Sequence, residues 1–151
     1  MVGMIDTRRI IRHYLATLAF RLGRALDGAP ESFGDFDIGS GVRTPLQIMR
    51  HIRGLMYFAN QILTAEEMPE VAELLWPEEA LRFTEAIEKV DKAMQESEPP
   101  SSERMLRALQ GPLADAMTHI GQLATMRRMA GAPLEKIHYS EERIEIGDLT
   151  L

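Results

Sequence analysis

Cysteine is absent from the 151-residue chain, which excludes disulfides, thiolate zinc sites and a cysteine nucleophile, and fits a reducing cytosol. Any thiol in its chemistry must come from another molecule. Aromatic residues are scarce at 6%, and β-branched runs are few, so the composition leans towards helices. Basic residues are outnumbered, with 17 Lys and Arg against 23 Asp and Glu and a formal net charge of -6. Neutralising phosphates requires the opposite balance. Nucleic acid is therefore not an expected partner, and Arg8-Arg9 and Arg127-Arg128 read as solvated helix flanks. No apolar run approaches the roughly 18 to 20 residues that cross a bilayer, and Arg12 and Arg21 interrupt the early hydrophobic segment. Neither a signal peptide nor a membrane anchor is expected, and the expected location is cytoplasmic.

What remains is a chain that fits one domain over residues 1–151, long enough to bury a core. Asp6 or Thr7 can cap a first helix whose stripe runs through Ile10, Ile11, Tyr14, Leu15, Leu18, Leu22 and Leu26 and stops near Asp27-Gly28. Residues 28 to 42 lack periodicity and form a loop long enough to cross a bundle, with Phe33 and Phe36 as its pins. Thr44-Pro45-Leu46-Gln47 combines a cap, a proline at the first helical position and a capping-box glutamine. The second helix that follows uses Ile48, Ile52, Leu55, Met56, Ala59, Ile62 and Leu63, with His51 on its flank pointing inward.

A short helical turn is expected over residues 68–76, and a third helix from Pro77 to about Gln95 with Ala80, Phe83, Ile87, Val90 and Met94 inside. Glu66-Glu67 and Glu78-Glu79 read as solvated charge at helix flanks. Ser101 or Ser102 can cap a fourth helix that Gly111-Pro112 kinks or restarts, and whose main body spans Leu113 to Ala130 before Gly131. Ile144-Glu145-Ile146 suggests a short extended segment laid on the bundle. The expected class is all-α, a four-helix bundle with a crossover connection.

The chemistry-bearing stretch is Asp115-Ala116-Met117-Thr118-His119. Four residues apart on a helix, a carboxylate and an imidazole leave the same face and can meet one ion. His51 can complete a set of two histidines and one carboxylate, which suits first-row divalent metals and leaves positions open for water or substrate. The same residues also allow a plainer arrangement, with partly buried histidines bonded to polar neighbours and Asp115 paired to His119 across one turn. Gln122, one turn beyond His119, is a weaker candidate for contact with substrate or with a ligand imidazole. His13 and His138 fall outside the set.

These residues resemble the DinB-like (DinB/YfiT-type) superfamily of metalloenzymes over nearly the whole length. The resemblance rests on Thr44-Pro45 leading into a helix with His51, on His119-Ile120-Gly121-Gln122, on Gly131-Ala132-Pro133 and on Ile144-Glu145-Ile146-Gly147. It implies a four-helix bundle with up-down-down-up topology, often a homodimer, holding a divalent metal (zinc, nickel, iron or manganese) through three side chains. The usual set is three histidines, one on the second helix and two on the last, four residues apart. His51 and His119 match two of those positions, while Asp115 stands where histidine is common, as a carboxylate does in similar mycothiol-dependent isomerases. Ile120 replaces the arginine that usually follows the histidine.

The resemblance implies a metal-dependent enzyme acting on a small molecule: a thiol-dependent S-transferase using a low-molecular-weight thiol as cosubstrate, or a metal-dependent hydrolase. The alternative from a different class is a non-catalytic dimeric helical binding or stress-response module that has kept the scaffold and lost the chemistry.

Overall fold

The structure, a computed structural model, describes residues 6–151. Among them it is helical, with no strand. Helix α1 (Thr7–Leu26) begins where the Asp6 carboxylate accepts the Arg8 amide at 3.0 Å. Ile11, Leu15, Leu18 and Leu22 form its buried stripe. Ile10 departs from expectation and is 49% exposed, because Ile11 and Leu15 already carry the inward face one step round the helix.

The crossing loop is anchored by aromatic packing. Phe33 is buried in a 3-10 turn (Glu31–Asp35), 5.7 Å edge-on from Trp76 and 6.5 Å stacked with Phe36. Gly34 lies under the same indole, where a Cβ would come within 3.3 Å of the ring. Helix α2 (Pro45–Thr64) opens with the expected capping box, Thr44 and Gln47 each accepting the other's amide.

The turn expected over residues 68–76 does not form; residues 65–75 are irregular. Side chains from outside the segment hold its last residues: Arg50 donates to the Leu74 carbonyl at 2.8 Å, Arg53 to Ala72 at 3.3 Å, and the Leu74 amide to Glu79 at 3.0 Å. External partners remove the need for local helical bonds. Glu79 is accordingly fully buried rather than solvated, placed between the side chains of Arg50 and Arg53. Helix α3 (Trp76–Ala93) buries Phe83, Ile87 and Val90 and stops two residues short of Gln95.

Helix α4 (Ser102–Ala108), capped by Ser101, does not break at Gly111-Pro112. It continues through a π-turn (Leu109–Leu113) into α5 (Ala114–Met129). The wider turn accommodates the proline that an α-turn would reject, for lack of its N–H and for its clash with the preceding turn. Gly131, at φ 78°, supplies the left-handed stop, and the Ala132 amide reaches back to the Arg127 carbonyl at 2.9 Å.

Both α1 and α2 pack against α3 and α5. Arg12 near the start of α1 holds Asp91 near the end of α3 with two bonds of 2.8 and 3.1 Å. Arg127 is buried instead of solvated: it donates to the carbonyls of Ala25, Asp27 and Ala132, each at 2.8 Å, and joins the ends of α1 and α5. Its burial pulls its pKa below the usual guanidinium value, partly offset by the charge of Asp27. The C-terminal segment lies on the bundle without strand pairing, through half-buried Ile144 and buried Leu149. No helix of the described residues is long and apolar enough to cross a membrane.

Candidate metal centre

On α2, Ile48 and Ile52 carry the core-facing stripe, and His51 stands beside them with its side chain 29% exposed. On α5, Ala116, Ile120 and Leu123 are buried, and His119 sits at the edge of that stripe, itself buried. Asp115, one turn earlier, has a side chain that is 46% exposed. The π-turn ends directly before α5. One extra residue in a turn rotates everything after it by about 100°, so this turn decides which face presents Asp115 and His119.

The bundle brings the three predicted ligands together. The Asp115 carboxylate bridges the two imidazoles, with Oδ2 at 3.3 Å from His51 Nε2 and Oδ1 at 3.4 Å from His119 Nε2. The rings of His51 and His119 meet edge to face at 4.5 Å between centroids. One ligand atom from each residue lies within 4.8 Å of the others, a grouping able to hold a metal ion. Ligands about 2.1 Å from a tetrahedral ion stand about 3.4 Å from one another; the two short Asp115 separations run to different carboxylate oxygens, so three atoms within 4.8 Å would have to close towards that spacing around an ion.

Gln122 Oε1 lies 2.8 Å from His119 Nδ1. When Nδ1 carries the proton and donates to this oxygen, the Nε2 lone pair faces the set, the tautomer a metal ligand requires. Gln122 is thus bonded to an imidazole of the set rather than a member of it. Burial lowers the His51 pKa from the ordinary imidazole value, as do the charges of His119 and Arg43, against the hydrogen bond and charge of Asp115. His51 therefore remains neutral, with a lone pair to offer, to lower pH than a free histidine.

Arg43, just before the α2 cap, is a site neighbour that sequence reasoning missed; its place directly ahead of the Thr44 cap on the histidine-bearing helix was the available signal. His13 and His138 are exposed and belong to no metal-holding group among the described residues. Comparison with models of protein families, with curated proteins and with solved structures finds no match for this chain. The site consequently stands on its own geometry.

Proposed function

We propose that the chain is a DinB-like metalloenzyme in which His51, Asp115 and His119 hold one divalent ion: zinc, nickel, iron or manganese. The convergence of three ligand atoms from two helices within 4.8 Å carries this reading. A divalent ion there would lower the pKa of a thiol or water at its open position, the chemistry of a thiol-dependent S-transferase or a hydrolase acting on a small electrophile. Two neutral imidazoles and one carboxylate contribute a single negative charge, so the set leaves a divalent ion with one positive charge to attract an anionic atom. Exposure on the Asp115 side leaves an approach from solvent.

The up-down-down-up topology belongs to the same proposal, supported by contacts between helix ends. Arg127 ties the last turn of α5 to the end of α1, which suits parallel helices. Arg12 ties the start of α1 to the end of α3, which suits antiparallel ones. Arg104 at the start of α4 donates to Leu63 at the end of α2, while Arg53 in the first half of α2 meets Glu79 at the start of α3. Together these favour α1 and α5 running one way and α2 and α3 the other. A homodimer is the assembly that the family resemblance implies.

The test is metal content per chain, by elemental mass spectrometry of protein purified without chelator. Near one ion per chain is expected, with loss of occupancy in Asp115→Ala and His51→Ala at unchanged helix content, and retention in His138→Ala. A folded protein that neither carries nor takes up any of the four metals would reject the enzyme in favour of a non-catalytic module.

A further inference from the structure

Beside the His-Asp-His set lies a groove of about 510 Å³ between α2 and the π-turn, lined by Leu55, Phe58, Gly111, Pro112, Asp115 and Thr118 among others. Its volume lies within the range of small-molecule sites. Three observations connect it to the metal centre. Asp115 belongs to both, so one wall of the groove is a metal ligand. His51, Leu55 and Phe58 follow one another at helical spacing, and the groove therefore extends along the same face of α2 that presents the histidine. On the opposite side, a Cβ on Gly111 would meet nothing within 4 Å, leaving the floor open at the π-turn.

Apart from Asp115, Thr118 and Gln110, the lining is apolar. Phe58 is 43% exposed although it belongs to a helix with a well-formed core stripe, and Leu55 is half-buried. The Phe58 ring and the Leu55 side chain on α2, with Pro112 and Ala114 from the other wall, suit an apolar body laid in an open groove, whereas Asp115, Thr118 and Gln110 are its polar lining.

We propose that this groove seats a ring-sized apolar part of the small molecule whose polar head meets the ion, with Phe58, Leu55 and Pro112 as the specificity-determining walls. The inference rests on the metal reading above and names the substrate class: small molecules with a hydrophobic, planar body next to the reactive atom.

Two hydroxamates test it, because acetohydroxamate and benzohydroxamate share one zinc-binding head and differ in a methyl against a phenyl. Each is titrated into the zinc-loaded full chain, with zinc content measured on the same samples. Seating a phenyl ring in a half-open apolar groove is expected to favour benzohydroxamate by about tenfold or more. Phe58→Ala, which removes one wall, and Ala114→Trp, which fills the groove from an exposed position, are each expected to bring that ratio towards one.

Equal affinities for the two probes in the wild type would overturn the groove while leaving the metal centre in place. A ratio unmoved by both variants would place the phenyl elsewhere and overturn it as well. The groove would equally be overturned if Phe58→Ala split a dimer without changing the ratio, for it would then be a contact between copies. Absence of bound zinc in the wild type would reject the metal reading itself, a failure distinguishable from the others by the zinc measurement.

Discussion

Two polar clusters share a single turn of α2, residues 50–53, and are built to opposite ends. Arg50 and Arg53 flank His51 in sequence, yet they turn to Glu79, whose carboxylate is fully buried 3.6 Å and 3.3 Å from their Nε atoms. The arginines direct their other donors to the carbonyls of residues 72 and 74, and Arg50 also meets Glu73 at 3.2 Å. His51 turns to Asp115, which keeps a side chain 46% exposed. The first cluster encloses Glu79 and binds its own loop. The second opens to solvent through half-exposed Asp115 and partly exposed His51, with His119 buried behind them and one ligand atom from each within 4.8 Å of the others. Enclosure with internal charge compensation marks a structural cluster, whereas convergence with an open side marks one available to a ligand.

The largest expected effect separates the two. Glu79→Ala leaves arginines without their enclosed counter-charge, and breaking a buried pair from one side is expected to cost about 3 kcal/mol. Asp115→Ala removes a half-exposed carboxylate and its contacts with the imidazoles, so in metal-free protein it is expected to stay within about 1 kcal/mol of wild type. Urea unfolding in the presence of chelator measures both. Zinc occupancy should show the reverse order, retained in folded Glu79→Ala and lost in Asp115→Ala. Equal destabilisation by the two substitutions would end the distinction between a structural and a ligand-binding cluster.

A smaller effect sharpens the role of Gln122, whose oxygen meets His119 Nδ1 at 2.8 Å. Removing an outer partner of a metal-bound imidazole typically weakens metal binding by about tenfold or more. Gln122→Ala is therefore expected to lower zinc affinity by about that factor, read by competition with a chelating dye, without moving the unfolding midpoint. Gln122→Glu keeps an acceptor at the same reach and is expected to restore the affinity. Equal losses in both variants would mean that the bond does not orient the ring.

Features set by neighbours within one or two turns were legible in the sequence. The Thr44 box, the α2 stripe, the α1 stripe apart from exposed Ile10, the Gly131 stop and the Asp115–His119 pair formed as expected. Glu79 misleads because an acid in the first turn of a helix suits the dipole whether or not it is buried, and its partners lie more than twenty residues upstream. Arg127 misleads for a similar reason, since the carbonyls it joins come from the far end of α1. Pro112 signals a departure from regular α-helix, but no local rule distinguishes a kink or restart from a π-turn that carries the helix through. The approach of His51 to the pair depends on how α2 and α5 pack, which spacing along one chain segment does not encode.

The smallest effect concerns pH, and it separates the clusters once more. Because burial, first among the causes, lowers the His51 pKa, the folded chain binds fewer protons there than the unfolded chain at pH values just below the ordinary imidazole value of about 6.5. Stability of the metal-free protein must then rise with pH across the interval between the lowered value and the ordinary one. The contribution is fully present above the ordinary value and is lost as pH falls through the lowered one. Unfolding midpoints between about pH 5 and about pH 7.5 should therefore climb in the wild type, with a shallower climb in His51→Gln and an unchanged one in Arg53→Gln, which perturbs only the enclosed cluster. A slope that persisted in His51→Gln would assign the proton to another group and remove the electrostatic distinction drawn for the open site.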